Sequence, residues 1–160
     1  MQDLKNLATE LGLSRVSTYL ASGNLLFESN LAGKDIQRLL SDSIAIKFGY
    51  SVNILIKNHT QLTEIMNENP FAGQEFDTTR TLFASMLWEP LSQDAIKQVE
   101  ALSTENERMI VKGSVIYTLL LRSYFSKSVM GRSFLSTKLR IQMTSRNWNT
   151  ITKLTDQLAL

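Results

Sequence analysis

The sequence predicts an α+β protein made of two small split βαβ halves with antiparallel sheets, and three observations carry that prediction. Segments of helical period and segments of strand period alternate along the 160 residues, separated by short turn-rich breaks. Their order, α-β-β-α-β and then β-α-β-β-α-β-α, repeats in element type although not in residues. A composition of 43% hydrophobic residues with 20% charge and two prolines supplies enough apolar surface for one core or two small ones, and argues against disorder.

Leu4, Leu7, Ala8 and Leu11 fall at helical spacing over residues 3–11, and Gly12 supplies a left-handed stop. Residues 15–19 and 25–28 read as strands joined through Ala21-Ser22-Gly23-Asn24, a hairpin turn whose Gly and Asn tolerate positive φ. Over 33–48, Ile36, Leu39, Leu40, Ile44 and Phe48 share one helical face that ends at Gly49. Residues 52–57 then alternate as a strand. A short helix over 61–67 leads to Asn69-Pro70-Phe71, where proline biases Asn69 away from helix. The polar, turn-rich residues 73–79 are the expected linker, which divides the chain into an N-terminal subdomain over 1–73 and a C-terminal one over 80–160.

The second series opens with a strongly apolar strand over 81–88 and an amphipathic helix over 91–102. A hairpin follows, 108–112 and 115–121 about Gly113-Ser114. Residues 127–139 look helical, 140–143 form a short strand, and 148–158 an extra closing helix. The word β-α-β-β-α-β is that of a ferredoxin-like subdomain, a four-stranded antiparallel sheet with two helices on one face. The first half spells the same word without its first letter, and that missing strand is a central one. The expectation is therefore a strand upstream of Met1; the alternative is a three-stranded first half.

Three local patterns carry a resemblance. Thr18-Tyr19-Leu20-Ala21-Ser22-Gly23-Asn24-Leu25-Leu26-Phe27, Asn69-Pro70-Phe71, and Thr144-Ser145-Arg146-Asn147-Trp148-Asn149-Thr150 with Lys153-Leu154 are spaced over essentially the whole chain. Together they resemble the signatures of a bacterial family known as domain of unknown function 1697. The resemblance implies two ferredoxin-like subdomains, in agreement with the element order, and brings no activity with it. It also implies an initial strand and a Gly-Ile-Asn-Val-Gly-Gly type loop that this chain does not contain.

Charge divides the chain sharply. Before Arg108 stand eight Lys or Arg against fourteen Asp or Glu, whereas from Arg108 onward nine cations face only Asp156, so a net charge of +2 hides an acidic half and a basic half. The run from Arg108 to Lys153 holds no carboxylate at all and closes on the Arg146 segment. There Ser145 or Asn147 can cap the last helix, whose first turn presents free N–H groups beside Arg146, a generic anion-binding arrangement to which Asn149 and Thr150 add neutral donors. Two other roles compete: a structural one, with Asn147 as cap, Trp148 filling the groove between helix and sheet and Arg146 paired with a carboxylate from the acidic half, and stacking of a base or ring on Trp148. Ser22 and Asn24 form either a tight turn or a ligand-facing loop.

Several classes of chemistry lack their residues. No cysteine is present, which removes disulfides, thiolate catalysis and cysteine-based metal sites. His59 is the single histidine, too few for a transition-metal site and far in sequence from Ser22, whose turn lies between two strands and not between the strand and helix a nucleophile elbow requires. Glu64 and Glu68 share a helical face as a solvated edge. No phosphate-binding glycine loop, cofactor motif or acid–base pair can be named. No secretion pattern or membrane-length apolar run is visible, so the cytoplasm is expected and a membrane partner is not.

The expected function is binding of a small anionic or nucleotide-like ligand between the subdomains, with Ser22 and Asn24 on one side and Arg146, Asn147, Trp148 and Asn149 on the other. Whether catalysis accompanies it stays open. One alternative is a nucleic-acid-binding module using the basic face of 108–153, although 115–121 offers only Tyr117 as an aromatic. Another is a structural or interaction protein whose halves complement one another or which dimerises through an exposed sheet edge.

Overall fold

A computed structural model describes residues 1–20, 23–73 and 79–159. It is an α+β protein with two antiparallel sheets, one of two strands and one of four. The chain divides into two compact units, residues 1–58 and 59–160.

In the first unit, helix α1 (Gln2–Glu10) is followed by strands β1 (Ser14–Tyr19) and β2 (Asn24–Glu28) and by helix α2 (Gly33–Phe48). The stops expected from sequence are where the backbone turns left-handed, Gly12 at φ 83° and Gly49 at φ 77°, the latter returning its N–H to the carbonyl of Ala45. β1 and β2 pair antiparallel with Tyr19 opposite Asn24, and the register slips between Ser14 and Ser17, where Arg15 adopts φ 47°. Ala8, Leu13, Ile36 and Leu40 form the core of this unit.

The strand expected over 52–57 is not formed: its backbone makes no hydrogen bond with a described residue. The alternation of the segment is nonetheless used, because Ile54 and Ile56 pack against the core from one side. Alternation reports which side chains are buried, whereas a ladder also needs a neighbouring strand to bond with.

The second unit begins with helix α3 (His59–Asn67). The division therefore precedes the expected linker, most of which (74–78) lies outside the described residues. α3 belongs here because it buries Leu62 and Ile65 and packs against the closing helix. After it, the side chain of Asn69 accepts from the N–H of Phe71 at 2.9 Å, a local turn that sends Phe71 into the interior, where the guanidinium of Arg108 lies 5.5 Å from its ring centre.

Strand β3 (Arg80–Leu87), helix α4 (Gln93–Glu100), strands β4 (Glu107–Lys112) and β5 (Val115–Leu121), a 3-10 helix (Arg122–Lys127), helix α5 (Phe134–Thr137), strand β6 (Met143–Asn147) and helix α6 (Trp148–Leu158) complete the chain. The sheet runs β4-β5-β3-β6, antiparallel throughout, so β3 is central and its sequel β4 lies two places away, the order of a split βαβ arrangement. Both faces are covered. Leu87, Met109 and Ile116 meet Val99 of α4 and Leu135 of α5 on one face. On the other face Tyr117 reaches α3 and α6.

Two expected elements are corrected. Residues 127–139 are not one helix: the 3-10 helix and the four residues of α5 are separated by turns, with Ser133 at φ 52°. Two locks enforce the break. The buried carboxylate of Glu107 accepts from the N–H groups of Val129 (2.6 Å) and Met130 (3.0 Å), and Ser128 Oγ accepts from the N–H of Gly131 at 2.8 Å. The last strand is not 140–143 but Met143–Asn147, pairing Met143 with Leu87 and Asn147 with Phe83. Met-Thr-Ser-Arg-Asn has no apolar alternation, so only its pairing, including a 2.6 Å hydrogen bond between the hydroxyls of Ser85 and Ser145, reveals it.

Candidate functional site

Ser22 lies outside the described residues. Asn24 opens β2, buried, and its side-chain amide donates to the carbonyl of Tyr19 at 2.8 Å, which closes the hairpin. It belongs to the first unit; Arg146, Asn147, Trp148 and Asn149 belong to the second.

Those four residues form the corner at which β6 becomes α6. Asn147 is the N-cap: its Oδ1 accepts from the N–H of Asn149 at 3.0 Å, and its Nδ2 donates to Thr81 Oγ1 at 2.8 Å. One side chain thus ends the strand, starts the helix and ties both to the central strand β3. The ring of Trp148 lies 6.4 Å from that of Tyr117, tilted at 53°, a packing contact between α6 and the sheet. The side chain of Asn149 is exposed. Arg146, opposite Ala84 on β3, is half-buried and donates through Nη1 to Thr144 Oγ1 (2.8 Å) and to the carbonyl of Ser145 (2.9 Å). Burial pushes its pKa below the usual arginine value, because desolvation disfavours the cation.

The other cations of the basic run are placed differently. Arg122, Lys127, Arg132, Lys138 and Arg140 lie on the connection between β5 and β6, all exposed, and none makes an ion pair with a described residue. The connection is not loose. Gly131 packs so closely on the carbonyl of Phe125 that a Cβ there would overlap it, and Ser128 Oγ donates to the same carbonyl at 2.6 Å. Phe125 itself is 44% exposed, with its ring 6.1 Å from Phe83 of β3. Sequence reasoning missed Glu107 and Phe125. Glu107 is the last carboxylate before the acid-free run, and its place at that boundary was the available signal.

Among the described residues no three His, Asp or Glu side chains stand together in a way that could hold a metal ion, and no helix is long and apolar enough to cross a membrane.

A conserved bacterial protein from Streptococcus pneumoniae has a similar solved structure, with a TM-score of 0.78 at 21% identity over 100% of this chain and 89% of the other. At that identity the likeness concerns the fold. No curated protein matches the chain. The family model for proteins of unknown function DUF1697 matches residues 1–117, which takes in the hairpin, the Asn-Pro-Phe turn and the sheet as far as Tyr117. The chain therefore belongs to the DUF1697 family of proteins of unknown function.

Proposed function

We propose that the protein binds an extended polyanion, a nucleic-acid backbone, through the basic connection between β5 and β6. The observation that carries this reading is the exposure of Arg122, Lys127, Arg132, Lys138 and Arg140 on the one connection, residues 122–142, between β5 and β6, with no ion-pair partner among the described residues and no carboxylate in the sequence around them. Exposed cations on separate turns suit a chain of phosphates better than one compact ligand, since each phosphate neutralised releases counterions and adds to affinity. In the Arg146 corner, by contrast, both ends of the Asn147 amide serve the fold.

The test is fluorescence anisotropy with a labelled DNA duplex across a salt series. Binding should weaken with salt at a slope of about −0.9 per phosphate contact. Replacing Lys127, Arg132 and Lys138 together by Ala should flatten the slope by about two to three contacts. Absence of binding at low salt, or a slope that the triple variant leaves unchanged, overturns the reading.

A second reading keeps a small anionic ligand at Arg146. Its support is placement: half-buried Arg146 directly precedes Asn147, the N-cap of the eleven-residue helix α6, whose positive end favours an anion. Here Arg146→Ala should abolish a phosphate-dependent rise in melting temperature while leaving duplex binding unchanged.

A further inference from the structure

We infer that the 3-10 helix Arg122–Lys127 is a contact for single-stranded nucleic acid, in which Phe125 stacks on a base while Arg122, Lys127 and Arg132 hold the adjoining phosphates. The inference rests on the polyanion reading above and names the form of nucleic acid that the surface takes.

Phe125 is the exposed aromatic of a segment, Arg122-Ser123-Tyr124-Phe125-Ser126-Lys127, in which cations flank aromatic residues with no acid between them. Isolated exposed apolar side chains are common and need no account. This one differs in how it is held. Its ring leans on Phe83 of the central strand at 6.1 Å and 37°, so one side is supported by the sheet while the residue keeps 44% of its surface open. Its carbonyl is fixed by Ser128 Oγ at 2.6 Å, and the turn that follows is fixed in its turn by the buried carboxylate of Glu107. Arg132 Nε reaches back to the carbonyl of Ser126 at 3.5 Å, which places a guanidinium beside the same turn.

A ring already held against the sheet, with the guanidinium of Arg132 beside it, loses little freedom on binding, and that is the condition under which a small contact yields useful affinity. Stacking needs a base face that is not already covered. A duplex offers none along its length, whereas a single strand offers one at every nucleotide, and cations beside an aromatic platform follow the backbone on either side. The combination therefore selects single strands, without a demand on sequence.

The experiment compares oligo-dT and a duplex of equal length by anisotropy at one salt concentration, with the whole chain and with Phe125→Ala, Phe125→Leu and Phe125→Trp. The single strand should bind more tightly than the duplex. Both Phe125→Ala and Phe125→Leu should weaken single-strand binding by about 5- to 160-fold, the range for loss of one stacked base, and leave the duplex unchanged. Phe125→Leu keeps apolar packing on Phe83, so its unchanged melting temperature separates lost stacking from lost folding. Phe125→Trp should restore binding, with its indole emission quenched by oligo-dT. Equal binding of both forms, indifferent to Phe125, overturns the single-strand inference while the polyanion reading stands. Binding of neither overturns both. Binding to phosphatidylserine vesicles but to no oligonucleotide overturns both in favour of a membrane surface.

Discussion

The phenol of Tyr117 donates a 2.8 Å hydrogen bond to the carbonyl of Ile65, across the interior between strand β5 and helix α3. That carbonyl belongs to the last turn of α3, where no further helical N–H is available to it, so a side chain fifty-two residues away completes the helix end. Tyr117→Phe keeps the ring and its contact with Trp148 but leaves a buried carbonyl without its donor. The expected cost is about 1–3 kcal/mol, read by chemical denaturation.

The same phenol gives a pH prediction. Burial, and secondly the charge of Glu68, push the pKa of Tyr117 well above its ordinary value. The unfolded chain therefore releases this proton first. The contribution is whole below about pH 10, the unperturbed tyrosine value, and is lost progressively as pH rises above it toward the folded-state pKa. Between about pH 10 and 12 the native protein should lose stability faster than Tyr117→Phe does. Parallel pH curves for the two proteins would rule the linkage out.

Glu107 and Gly131 hold the turn that follows the 3-10 helix. Glu107→Gln replaces a carboxylate that accepts from two N–H groups by an amide whose nitrogen cannot accept, which should cost about 1–3 kcal/mol. Hydrogen exchange gives the sharper readout: the amides of Val129 and Met130 should lose protection while those of the β3–β5 ladder keep theirs.

Two glycine-to-alanine changes should differ in sign. At Gly131 a Cβ would overlap the Phe125 carbonyl, so Gly131→Ala must displace backbone and should destabilise by about 1–3 kcal/mol. At Gly33, which begins α2, a Cβ would meet Ile56 Cγ2 at 3.6 Å, ordinary contact, and the unfolded chain would lose freedom. Gly33→Ala should stabilise by about 0.4–1 kcal/mol. Equal effects at the two positions would mean that the close approach at Gly131 is not maintained in solution.

The sequence was most legible where burial and period coincide. Leu7 and Ala8 on α1, Ile36, Leu40 and Ile44 on α2, and the apolar β3 and β5 lie within the elements that their spacing predicts. It misled where hydrogen bonds and not burial decide the backbone. Residues 52–57 alternate but bond to no described neighbour, whereas Met143–Asn147 pairs fully with β3 while carrying no apolar alternation. The break between 127 and 134 was hidden because its causes, Glu107 and Gly131, act through space or through the absence of a side chain. For the candidate site, the sequence located the basic run but not the half-buried position of Arg146 or the exposure of Phe125, since both depend on pairings with β3.

The Arg146–Asn147 corner allows structure and binding to be separated by adjacent substitutions. Asn147→Ala removes the cap of α6 and the donor to Thr81, whose side chain is buried, and should cost about 1–2 kcal/mol for the cap with a further loss for the bond to β3. Asn147→Asp keeps an acceptor for the N–H of Asn149 and adds a negative charge at a helix N-terminus, so its cost should be smaller. The same charge would repel an anion. Hence, if the corner is structural only, stability should fall in the order native, Asp, Ala, while oligonucleotide binding stays the same in all three. If a phosphate docks beside Arg146, Asn147→Asp should lose phosphate-dependent stabilisation although it is the more stable variant. Stability and ligand response would then rank the two variants in opposite orders, a result that a cap alone cannot produce.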